Sequence, residues 1–214
     1  LTTAKPGDEF EGDISVYYEP EYEELQTSLI LSGPLTDNLG GRLSLRKRDT
    51  DGYIDNVFKN KYEMEADEWV VRGTLVWDAN ENLAVTFKAE TGEFDSKGRN
   101  SVILNDPAPG GATPVFNDFE KKASNDPEFS DNEYDNFTLT VDYQLGDNTL
   151  TSITGYSTYN YEETVDTDFG IGSTVQTPSA EDFDQFSQEL RIVSPQGETI
   201  DYIFGVFYQN NDIS

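Results

Sequence analysis

The chain has 214 residues, 14 basic against 42 acidic, and a formal charge of -28. That acidity argues against nucleic acid as a partner, because phosphates would be repelled. The absence of Cys and His excludes disulfides, thiolate chemistry, serine–histidine and cysteine–histidine catalysis, and the commonest zinc sites.

Hydrophobic content is 35 %, yet aromatics reach 13 %, which is not the aromatic-poor signature of disorder. No run approaches the ~20 apolar residues of a membrane helix. No signal peptide is visible, so the start is either mature or cut. Apolar and polar residues alternate with period two through most of the chain, which predicts strands. Nine are expected, at 10–18, 22–34, 41–49, 67–77, 83–91, 133–145, 149–161, 182–193 and 199–210. In the fourth, Trp69, Val71, Gly73, Leu75 and Trp77 share one face and Val70, Arg72, Thr74 and Val76 the other. In the sixth, Phe137, Leu139, Val141, Tyr143 and Leu145 oppose Asn136, Thr138, Thr140, Asp142 and Gln144. The one helix-like composition, "VFKNKYEMEADEW", is read as loop.

Short turns ("TDNLGG", "DANEN", "GDN", "SPQGE") alternate with long polar connections, the longest near 93–132. Short turns at one end and long loops at the other describe an antiparallel up-and-down meander, the asymmetry of outer-membrane barrels. A soluble sandwich also has one apolar face per strand. Two features favour the membrane. The strands run mostly 9–13 residues, the length of a tilted membrane strand rather than the soluble mode of about 5–6. Trp69 and Trp77 share a face eight residues apart, roughly 26 Å along the strand. With Tyr143 they are candidate membrane-interface aromatics.

The cations sort by parity. Arg42, Arg46, Arg48, Arg72, Lys88 and Arg191 fall on polar faces, and Lys47 does not. In a barrel the polar faces line the lumen, since an Arg in lipid costs several kcal/mol at midplane. Any polar face collects charges, however, so parity alone leaves a soluble fold open.

Carboxylates are too numerous to single out a glycosidase pair. "DTDGYIDN" and "DTDFG" lack the spaced ligands and terminal Glu of an EF-hand and are read as solvated acidic loops. No cofactor, metal site or enzyme activity is expected. The long-loop aromatics Tyr53, Phe94, Phe116, Phe119 and Phe129 are candidates to contact an external ligand, or to tuck the loops down.

Four stretches resemble TonB-dependent outer-membrane receptors. "TTAKPGDEFEG" resembles the junction between plug and barrel. "SGPLTDNLGGRLSLRKRDTDGYIDN" resembles the second and third barrel strands, and "TLTSITGYSTYNYEE" and "DFDQFSQELRIVSPQGETIDYIFGVFYQNND" resemble later strands. The resemblance implies an incomplete all-β barrel: residues 1–9 end the plug-to-barrel junction, and 10–214 form about nine of a probable 22 strands. It implies uptake of a scarce nutrient, such as an iron–siderophore chelate, across the outer membrane of a Gram-negative bacterium. Energy would come through TonB, by way of a plug domain absent from this chain, and the six polar-face cations would face that plug. The competing expectations are a soluble or secreted β-sandwich, such as a carbohydrate-binding or adhesin module, and a small closed barrel of eight or ten strands.

Overall fold

A computed structural model describes residues 3–99, 118–167, 170–171, 175–197 and 200–214. Nine strands form one antiparallel sheet: β1 (Glu11–Glu19), β2 (Glu24–Thr36), β3 (Leu39–Thr50), β6 (Glu65–Asn80), β7 (Leu83–Lys97), β9 (Phe129–Leu145), β10 (Asn148–Asp166), β11 (Gln176–Val193) and β12 (Ile203–Ile213). Each pairs with the next in chain order, so the sheet is a meander. Among the described residues, β1 and β12 at its edges each pair with one strand. Three short strands, β4 (Ile54–Asn56), β5 (Lys61–Glu63) and β8 (Lys121–Lys122), form a second sheet at the long-loop end.

All nine expected strands are present, and several run further at the long-loop end. β6 starts at Glu65, β7 ends at Lys97, β9 starts at Phe129 and β10 ends at Asp166. The segment read as loop at 57–69 in fact contains β5 and the start of β6. There both faces are polar, so alternation vanishes while backbone pairing continues. Asp67 pairs with Asp95, and Asp95 with Asp131.

Cross-strand partners lie on the same side of a sheet. The register therefore gives the sheet two chemically distinct faces. One carries the row Leu31, Leu43, Gly73, Ala89, Phe137, Tyr156, Phe186. Two residues on, it carries Leu75, Phe87 and Leu139, and then Trp77, Val85 and Val141. These large side chains stay open: Leu43 is 38 % exposed, Phe87 39 %, Leu139 40 % and Leu190 44 %. Among the described residues nothing covers this continuous apolar surface, which is far larger than a soluble monomer tolerates.

The band is slanted. On β2 it begins at Leu25, whose row passes through Asp49 to Asp67 of β6. On β6 it begins at Trp69, and on β9 at Phe137, whose row passes through Gly73. From the Asp67 row to the Gly73 row is six residues, roughly 20 Å along the strand, over four strand spacings of roughly 4.8 Å each. That is an angle of about 45°, close to the 35–45° tilt of strands in a membrane barrel.

Candidate functional site

The opposite face is polar and holds the charge. Arg42, Arg46 and Arg48 lie on it from β3, Arg72 from β6, Lys88 from β7 and Arg191 from β11, all on one side by register. Arg48 spans three strands, 2.8 Å from Glu24 and 2.9 Å from Glu68. Arg46 donates to Gln26 at 3.1 Å. Arg72 pairs with Glu90, which also accepts from the Tyr134 hydroxyl at 2.9 Å. Arg191 lies 3.1 Å from Glu189. Lys47, on the other face, pairs with Asp67 beyond the apolar band.

The N-terminal segment crosses this polar face. The Gly7 amide donates to Ser32 Oγ at 3.3 Å, and Lys88 Nζ donates to Thr3 Oγ1 at 2.6 Å. Pro6 packs so close to Gly40 that a Cβ there would meet its ring at 3.0 Å. Residues 3–7 thus bridge β2, β3 and β7 on the arginine side.

Trp69 and Trp77 lie on the apolar face at the two ends of its run on β6, and Tyr143 lies on the same face near the short turns. The Trp69 indole donates to Glu93 at 2.9 Å, where the face turns acidic.

The long-loop end holds the most deeply buried residues. Ile54, Asn56, Glu63, Lys122, Ser124 and Glu128 are each 6 % exposed or less. Parallel pairing of β4 with β8 joins the connection 51–64 to the connection 98–128. Lys122 Nζ lies 2.6 Å from Glu63, pairs with Glu128, and donates to the Arg99 carbonyl at 2.9 Å. Lys59 adds a second cation 2.9 Å from Glu63. Asn56 Nδ2 donates to the Ser124 carbonyl at 3.0 Å. Burial pushes the Glu63 carboxyl up, but the Lys122 and Lys59 ammoniums outweigh it and hold it below the usual range. Gly52 stands at φ +87, where a Cβ would come 2.2 Å from the Glu63 carbonyl, so the close approach needs glycine. This knot carried no sequence signal, because its ions come from separate connections with no shared period. Asp166, read as part of a solvated acidic loop, is fully buried beside it, and the Asp126 amide donates to it at 3.4 Å.

The loop aromatics separate. Tyr53 sits 5.5 Å from Tyr22, in a cleft of about 280 Å³ also lined by Tyr62 and Glu120. The Glu21 carboxylate beside Tyr22 pushes its phenol pKa up, with burial adding to the effect. Phe119 is 72 % exposed in a turn. Phe94 and Phe129 are not in loops. Phe94 is within β7, stacked on Tyr134 with centroids 5.7 Å apart, and Phe129 begins β9. Phe116 lies outside the described residues.

No family model and no curated protein matches the sequence. Solved structures do. The ferric yersiniabactin uptake receptor FyuA from Yersinia pestis matches with TM-score 0.77 at 20 % identity, over 99 % of this chain and 32 % of its own. The siderophore receptor PirA from Acinetobacter baumannii matches with TM-score 0.68 at 14 % identity, over 99 % and 31 %. The FpvAI–pyocin S2 complex matches with TM-score 0.70 at 16 % identity, over 98 % and 28 %. The chain spans about a third of the length of these structures. At these identities the likeness is one of fold.

Proposed function

We propose that a chain with the fold of part of a TonB-dependent receptor barrel serves as a section of the barrel wall of an outer-membrane uptake receptor in a Gram-negative bacterium. The observation that carries this reading is the two-faced sheet, with a slanted, uncovered apolar band on one side and an arginine-bearing polar wall on the other. The apolar face contacts lipid, with Trp69, Trp77 and Tyr143 at its interfaces. The polar face lines the lumen. Arg42, Arg46, Arg48, Arg72, Lys88 and Arg191 contact a plug domain, and residues 1–9 are the end of the segment joining that plug to the wall. The contacts of residues 3–7 on the polar side support this. Nutrient binds at the long-loop end, where the tyrosine cleft opens, and energy arrives through TonB by way of the plug. An iron–siderophore chelate is the proposed nutrient, because one similar structure is named a siderophore receptor and another a ferric yersiniabactin uptake receptor.

Fractionation and iron uptake test the reading. The protein is expected in the outer membrane, extractable only with detergent, and loss of its gene should reduce uptake of the cognate ferric chelate. A protein that is soluble and monomeric without detergent would contradict it and support the secreted module instead.

A further inference from the structure

The tyrosine cleft of about 280 Å³ brings together three separate parts of the long-loop end. Tyr22 comes from the turn between β1 and β2, Tyr53 from the residues before β4, and Tyr62 from β5. The Tyr22 and Tyr53 rings stand 5.5 Å apart with their planes at 60°, so they form a corner rather than a flat stack. Thr50 ties the two sides of this corner together. Its hydroxyl donates to the Tyr22 carbonyl at 3.0 Å and accepts from the Gly52 amide at 3.3 Å. The Tyr53 amide in turn donates to the Glu63 carbonyl at 3.0 Å. Tyr53 and Tyr62 remain open, at 36 % and 61 % exposure.

The charge around these rings does not cancel. Glu21, Glu23, Asp51 and Glu120 line the cleft with them, and no Lys or Arg does. Among the described residues none of these four carboxylates takes part in an ion pair. The lysines nearest in sequence to Tyr62 are committed elsewhere, Lys59 to Glu63 at 2.9 Å and Lys61 to Glu65 at 3.2 Å. The Tyr22 phenol stands in the same negative field: Glu21 pushes its pKa up most, and burial and Glu120 add to the effect. That phenol stays neutral, and its ring keeps the negative face that attracts cations.

Size and charge together narrow the ligand. Clefts that enclose a whole small ligand hold ~300–1,000 Å³, so this one takes a single group rather than an entire chelate. Four carboxylates repel an anionic group. A neutral ring would gain from the tyrosines alone. An alkylammonium group gains from both walls, through its charge at the carboxylates and through its polarised methyl or methylene surface on the rings.

We infer that the Tyr22–Tyr53–Tyr62 cleft binds an alkylammonium group carried by the incoming ligand. The inference rests on the uptake reading above, and it adds the charge and shape of the group recognised. Fluorine NMR of the detergent-purified full receptor tests it, with 3-fluorotyrosine in place of tyrosine and tetramethylammonium chloride as the probe. Sodium chloride at equal ionic strength supplies charge without methyl groups, and tert-butanol supplies methyl groups without charge. Tetramethylammonium should shift the Tyr53 and Tyr62 resonances saturably, with each control at least tenfold weaker. Y53L, read at Tyr62, should weaken binding at least fivefold and E21Q/E120Q at least threefold, both keeping wild-type circular dichroism. Shifts that follow ionic strength alone, an equal response to tert-butanol, or undiminished binding by Y53L would each overturn the inference. Uptake of a ferric chelate is measured in parallel. A receptor that takes up the chelate while Tyr53 and Tyr62 ignore tetramethylammonium sinks only the cleft. A saturable tetramethylammonium site in a protein that takes up no chelate sinks the uptake reading and leaves the cleft standing.

Discussion

Lys122→Met should loosen the long-loop end by about 3–5 kcal/mol, the cost of breaking a buried ion pair from one side. Lys122 is 4 % exposed and compensates two carboxylates at once, Glu63 and Glu128. Glu63 keeps Lys59 in the variant, but among the described residues Glu128 retains only the Ser124 hydroxyl at 3.2 Å. The Glu128 charge is then left in a buried site with no cation among the described residues. Hydrogen exchange reads the result locally. The Asp55 amide donates to the Glu120 carbonyl at 2.7 Å and the Val57 amide to the Lys122 carbonyl at 3.0 Å. Both should exchange roughly a hundredfold faster or more, since each ~1.4 kcal/mol of opening is a factor of ten. K122M/E128Q should recover much of the loss, because the stranded charge goes with its partner. If the single variant exchanges like wild type, the knot does not hold the two connections together.

Leu139→Arg should cost about 2–4 kcal/mol of folded-state stability in a bilayer, the depth-dependent penalty for a cation on the lipid face near midplane. Leu139 sits in the middle of the apolar run of β9 and is 40 % exposed. Its neighbour Thr140 faces the other way, opposite Thr86 and Ile153. Thr140→Arg should cost far less, because there the guanidinium stays in water. Denaturant titration of the two variants in lipid vesicles measures the difference. Equal costs would mean that both faces meet the same solvent.

The legible part of this protein was its wall. Period two survives wherever one face is apolar and the other polar. Trp69 through Trp77 and Phe137 through Leu145 were therefore readable, and so was the parity of the arginines. Above the band the pattern fails for a physical reason. Asp67, Asp95 and Asp131 occupy the outward positions, so the apolar stripe ends while the strand pairing continues. Phe94 and Phe129 were assigned to a loop for that reason, although one lies inside β7 and the other begins β9. The knot was illegible for a different reason. Glu63 and Lys122 meet only because β4 pairs with β8 across two separate connections. No local spacing encodes that meeting.

The slant of the band belongs to neither the sequence alone nor any single contact. It appears only when register ties Leu25, Trp69 and Phe137 to rows displaced along their strands. It accounts for the tilt without reference to any similar protein. It also explains why the short β1 of 9 residues and the long β10 of 19 residues can belong to one wall. The excess length of β10 stands above the band, at the loop end.

The central claim, that one face meets lipid and the other water, is tested most directly by a cysteine scan of β9. These 214 residues contain no cysteine, so each introduced thiol is the one such group among them. Single cysteines at Phe137, Leu139, Val141 and Tyr143 should report a lipid environment, with an attached fluorophore quenched by nitroxides in the acyl chains. Cysteines at Thr138, Thr140 and Asp142 should escape that quencher and react with a water-soluble maleimide. Strict alternation between the two sets is the predicted result. Equal reaction of all seven positions with the water-soluble reagent, with no quenching from lipid, would contradict it.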